Sequence, residues 1–102
     1  MNNVNRFGDM VRKLREQQNL LQRQIAGRLD IDTPMLSKIE RGERRAKREQ
    51  VVLLAEILNT DQEELVTLWL ADKVYEVVKD ESSALRALQV AEEEINYGKK
   101  QS

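Results

Sequence analysis

Residues 21–42 read LQRQIAGRLDIDTPMLSKIERG, and this stretch decides the fold. Ile25, Ala26 and Leu29 recur at helical spacing, which predicts a short helix from about Gln22 to Leu29. Leu36, Ile39 and Glu40 share the inner side of a second, from about Thr33 to Arg41. Asp32 or Thr33 can cap the first amides of that second helix. Pro34 is tolerated in a first turn, where a missing N–H costs nothing. Gly42 suits a left-handed exit. Ala26 is small enough to let the two helices meet closely, and Ile25, Ile31, Leu36 and Ile39 fill the pocket beneath. The outward residues of the second helix are then Thr33, Pro34, Met35, Ser37 and Lys38.

Working outward, helical periodicity continues almost everywhere, and no segment alternates with period two for long. A preceding helix is expected from about Phe7 to Gln18, with Phe7, Met10, Val11 and Leu14 on one face. A fourth runs from about Arg48 to Leu58, burying Val51, Leu54, Ala55 and Leu58, with Asn59 as its left-handed stop. Thr60-Asp61-Gln62-Glu63 has capping-box spacing for a fifth, from Asp61 to about Lys79. That fifth helix is apolar on two sides: Leu65, Leu68 and Trp69 can face the preceding helices, while Val66, Leu70, Val74, Val77 and Val78 line other angles. A surface helix in a monomer carries one apolar stripe, so a second stripe needs something else to pack on. Asp80-Glu81-Ser82-Ser83 is a break, and a sixth helix runs from about Ser83 to Tyr97 with Ala84, Leu88, Ala91 and Ile95 aligned. Gly98–Ser102 is expected to fray. The fold class is all-α.

Composition narrows the chemistry. The 102 residues include no Cys and no His. Thiol nucleophiles, disulfide scaffolds, Ser-His triads and the usual zinc sites are thereby excluded. No pair of carboxylates is placed around a pocket and no phosphate-binding glycine loop exists, so an enzyme is not expected, nor a metal or cofactor. The apolar run Val51–Ala55 ends at Glu56, and nothing is long enough to span a bilayer. The N-terminus lacks the layout of a signal peptide. The formal charge of −1 hides an asymmetry: residues 1–48 carry 12 basic and 6 acidic side chains, residues 49–102 carry 5 and 12. The first half suits a polyanion; the second suits solvent or a protein partner.

With those residues in view, the segment resembles the lambda-repressor/Cro-like (XRE) helix-turn-helix family. The match is Leu21-Gln22-Arg23-Gln24-Ile25-Ala26, then Ile31-Asp32-Thr33-Pro34-Met35-Leu36-Ser37-Lys38-Ile39-Glu40-Arg41-Gly42, and it extends over about residues 7–68. The resemblance implies a five-helix DNA-binding domain over residues 1–68, followed by a helical extension over 69–102. It implies that the second helix of the motif enters the major groove while the first crosses the backbone. Base-edge contacts fall to Thr33, Pro34, Ser37 and Lys38. Gln22 would hold a phosphate, and Arg23, Arg41, Arg44, Arg45, Lys47 and Arg48 are the flanking phosphate clamps. The resemblance also pairs Arg15 on the first helix with Glu40, in an ion pair locking the first and third helices.

Three positions depart from the family pattern. Leu21 replaces the usual Thr, which weakens the cap of the second helix. Asp30 replaces the turn Gly, and Asp tolerates the left-handed region. Asp32 replaces the common Ser and puts negative charge at the reading end. One such motif spans about four or five base pairs, so a homodimer on a palindrome with half-sites about 34 Å apart is expected. Trp69, Leu70, Val74, Val77, Val78, Leu85 and Leu88 are the expected dimer interface; the alternative is that the sixth helix folds back on the fifth within one chain. The functional expectation is a cytoplasmic, nucleoid-associated transcriptional regulator, a repressor or autoregulator on double-stranded DNA. The alternative is an antitoxin or adaptor whose acidic C-terminal half binds a protein partner.

Overall fold

The computed structural model describes residues 4–101, and among these it is built of helices without strands. The elements are α1 (Arg6–Gln17), α2 (Gln22–Leu29), α3 (Thr33–Arg41), α4 (Arg48–Ile57), α5 (Gln62–Val78) and α6 (Ala84–Gln101). Helices α1 to α4 and the first half of α5 enclose one core. Val11, Ile25, Leu36, Val51, Leu54 and Leu65, one or two from each of these helices, are its fully buried side chains, together with Leu58 at the cap of α4. Ile31 lies at the edge of that core, partly buried. Helix α3 packs on both α1 and α2, and α5 packs on α1 and α4.

The helix ends follow from local chemistry. Asp30, at φ 59° and ψ 44°, and Gly42, at φ 78°, terminate α2 and α3 in the left-handed conformation. Asn59 does the same beyond α4, at φ 53°. Asp32 caps α3, its carboxylate accepting from the Met35 amide at 2.8 Å. Leu21 offers no side-chain cap to α2; instead Gln24 reaches back, its Oε1 accepting from the Leu21 amide at 2.7 Å. The capping box expected at Thr60–Glu63 is not formed: Asp61 is the N-cap of α5 and makes no side-chain capping bond.

The C-terminal part differs from expectation in one respect. Helix α6 does not end at Tyr97 but continues through Gly98 to Gln101. Lys99 and Lys100 in the last turn complement the negative end of the helix dipole. Ser102, expected to belong to the tail, lies outside the described residues. Helix α6 does not fold back on α5: Leu85, Leu88, Val90, Ile95 and Tyr97 remain exposed, as do Leu70, Val74 and Val77 on α5. No helix among the described residues is long and apolar enough to cross a membrane.

Candidate nucleic-acid interface

Helix α3 is held from behind by Glu40, whose side chain is 2 % exposed. Arg15 of α1 meets it with Nε donating to Oε2 at 2.7 Å and Nη2 to Oε1 at 3.1 Å. Its Nη1 donates to the Leu20 carbonyl at 3.1 Å. Gln22, at the start of α2, donates from Nε2 to Glu40 Oε1 at 3.0 Å. A buried carboxylate requires such partners, because an unpaired charge away from water is costly. Hydrogen bonding to Glu40 raises the Arg15 guanidinium above its ordinary pKa, against the opposing effect of burial. One carboxylate therefore ties α1, α2 and α3 into a rigid unit.

A second tie works on the backbone. Asn5 caps α1 by accepting from the Gly8 amide at 3.2 Å, and its Nδ2 donates to the Glu40 carbonyl at 2.7 Å. Gly8 is what allows this approach: a Cβ there would lie 2.4 Å from the Glu40 carbonyl oxygen. From the other side, Asp72 of α5 accepts from the Arg6 and Phe7 amides at 3.1 and 2.9 Å. The start of α1 is thus clamped between the end of α3 and the middle of α5. Its orphan amides and positive dipole end receive three side-chain oxygens, two of them from a charged carboxylate.

The opposite side of α3 faces solvent. Pro34 and Lys38 are exposed, and Thr33 and Ser37 are half-buried. These four share one side of the helix with Arg41. The Arg41 guanidinium is not extended into solvent. Its Nε donates to Glu43 Oε2 at 2.6 Å, Nη2 donates to Oε1 at 3.3 Å, and Nη1 donates to Ser37 Oγ. Those hydrogen bonds hold Glu43 below the usual carboxylate range and raise Arg41 above its own. Glu43 is itself placed by the helix exit, where its amide and that of Arg44 return to the Lys38 carbonyl at 2.9 and 3.3 Å.

The other residues expected to grip phosphates lie at the surface. Arg23, Arg44, Arg45, Lys47 and Arg48 are all exposed. Arg44 and Arg45 share a cleft with Asp72 and Glu76 of α5. The Arg48 guanidinium lies over the Trp69 ring, 5.2 Å from its centroid, and the Lys73 ammonium lies 4.6 Å from it. Trp69 corrects one expectation. It does not belong to the uncovered side of α5: it is 6 % exposed, and its indole N–H donates to the Ala46 carbonyl at 2.8 Å. It stands one turn from Leu65 and therefore shares the core-facing side, whereas Leu70, Val74 and Val77 form the opposite stripe. Val78, expected with them, is half-buried.

The sequence reading missed Asn5, Gly8, Glu43 and Asp72. Asn5 was accessible, since an Asn just before an apolar-periodic run is a helix-start signal. Asp72 carried no local signal, because its partners lie 65 and 66 residues away.

Two short helices joined by a left-handed turn, the second packed on α1 and α2 with its outer side bare, define the helix-turn-helix class of DNA-binding domain. A family model described as a helix-turn-helix domain matches residues 6–68, and the chain belongs to that family. No curated protein and no solved structure matches the chain.

Proposed function

We propose that this protein is a sequence-specific transcriptional regulator that binds a palindromic operator as a homodimer, with α3 in the major groove. The single observation that carries the reading is the bare outer side of α3, rigidly braced from behind by Glu40 and flanked by cations. Lys38 suits guanine O6 or N7, and the Thr33 methyl suits the thymine methyl; Ser37 and Pro34 complete the surface. Arg23, Arg44, Arg45, Lys47 and Arg48 supply phosphate contacts, each steepening the fall of log affinity with log salt by about 0.9. Gln22 keeps a second amide hydrogen beyond the one given to Glu40, enough to reach a phosphate at the start of α2.

Support for a two-fold dimer comes from α5 and α6. Leu70, Val74 and Val77 on α5, and Leu85 and Leu88 on α6, leave apolar surface uncovered. An exposed apolar face of this kind marks an interaction site, and a self-complementary one gives a closed pair. The acidic residues of this half repel DNA and keep it clear of the duplex. The adaptor reading draws on one observation, the exposed Glu92-Glu93-Glu94 of α6, which suits a basic protein partner.

Selection of bound sequences from random duplexes tests the proposal. The expected result is an enriched palindrome whose half-sites are about one helical turn apart. No enrichment, even at low salt, would overturn it in favour of the adaptor.

A further inference from the structure

We infer that Arg41 is a specificity-determining residue that reads a guanine, braced by Glu43 and Ser37, and not a phosphate clamp. The inference rests on the reading that α3 lies in the major groove, and it deepens that reading by assigning the two-pronged base contact that Thr33, Pro34, Ser37 and Lys38 do not supply.

Position comes first. Arg41 follows Ser37 by four residues, so the two share one side of α3. Side chains on a helix lean toward its N-terminus, and the Nη1 contact to Ser37 Oγ shows that Arg41 does so here. Its guanidinium therefore sits about 6 Å back along the axis from its own Cα, one helical turn. That brings it level with Ser37, inside the proposed reading surface.

Hydrogen-bond capacity comes second. A guanidinium has five N–H groups in a fixed fork. Glu43 takes the Nε hydrogen and one on Nη2, and Ser37 takes one on Nη1. One hydrogen remains on each terminal nitrogen. Two donors on adjacent terminal nitrogens are what guanine O6 and N7 accept, the commonest specific contact in the major groove. The carboxylate fixes the plane of the fork before DNA arrives, so little side-chain freedom is lost on binding.

Charge separates the two roles. As a phosphate clamp Arg41 would be handicapped, because Glu43 neutralises it and brings a carboxylate toward the phosphates. A base edge presents neutral acceptors and tolerates a neutral ion pair beside them. Holding Arg41 over Ser37 weakens it as a clamp and strengthens it as a reader.

The test is selection from random duplexes with the wild-type chain, Arg41→Ala, Arg41→Lys and Glu43→Gln, with circular dichroism to verify folding. Arg41 and Glu43 are exposed, so these variants keep the core intact. The expected wild-type motif holds a guanine at one position of each half-site. Arg41→Ala and Arg41→Lys each lose about tenfold in preference at that position alone, because Lys cannot supply the two-pronged contact. Glu43→Gln relaxes the same position while overall affinity rises, since a negative charge has left the interface. The inference is overturned if Arg41→Ala weakens all sequences equally and flattens the salt slope by about 0.9 while Arg41→Lys restores both. It is also overturned, with the groove reading left standing, if a motif is found that these substitutions do not alter. A wild-type chain that enriches nothing overturns both.

Discussion

Replacing Arg15 with Ala isolates the element on which the geometry of α3 depends. The Glu40 carboxylate accepts from Arg15 at 2.7 and 3.1 Å and from Gln22 at 3.0 Å. The substitution removes both charge-assisted bonds and the third that Arg15 gives to Leu20. It leaves a carboxylate with 2 % of its side chain exposed, beside one neutral donor. Breaking a buried pair by removing one partner costs about 3–5 kcal/mol. Gln22 remains, which sets the expectation at the lower end, about 3 kcal/mol. A domain of this size loses about 4–8 °C in Tm per kcal/mol, so the midpoint should fall by at least about 12 °C. Urea unfolding followed by fluorescence of Trp69 reads this directly, because that single Trp sits in the core. The paired substitution Arg15→Met with Glu40→Leu should recover most of the loss, since an apolar pair of similar volume removes the stranded charge. A loss below about 1 kcal/mol for Arg15→Ala, or a double variant no more stable than the single one, would refute the reasoning.

Four further outcomes follow from particular positions. Gly8→Ala should destabilise by about 1–3 kcal/mol in thermal melts, because its Cβ meets the Glu40 carbonyl oxygen at 2.4 Å. Gly27→Ala, with nothing within 4 Å, should instead gain up to about 1 kcal/mol from helix propensity. Asp72→Ala should cost about 1 kcal/mol by removing the acceptor from the Arg6 and Phe7 amides, with Asp72→Asn milder, as chemical denaturation would measure. Light scattering should give about twice the chain mass of 11.9 kDa for the wild type and the single-chain mass for Val74→Glu with Val77→Glu, with the helical content unchanged.

Most of the fold was legible because the deciding signals are local. The spacing of Ile25, Ala26, Leu29, Leu36 and Ile39 places α2 and α3, and Asp30, Gly42 and Asn59 mark their exits and that of α4 by their tolerance of positive φ. The two-sided character of α5 was visible: its spacing lets Leu65, Leu68 and Trp69 face the preceding helices, but it also left Trp69 beside Leu70 in the expected dimer interface. Its neighbours in sequence, Leu68 and Leu70, look equally apolar, and only the Ala46 carbonyl, across the loop before α4, distinguishes its place. Asp72 and Asn5 were invisible as tertiary clamps for a similar reason: their partners are fixed by packing, not by spacing. Glu43 stands between Arg41 and Arg44-Arg45 with no local signal that it pairs with one of them. Its fork with Arg41 depends on the chain reversal at Gly42, which places two side chains of one turn face to face.

The insertion of α3 into the major groove is tested most directly by methylation of guanine N7 in a selected duplex, with and without the protein. N7 lies on the major-groove edge, so the groove reading predicts protection at guanines in two patches separated by one helical turn. Tight binding that leaves every N7 as reactive as in free DNA would contradict it.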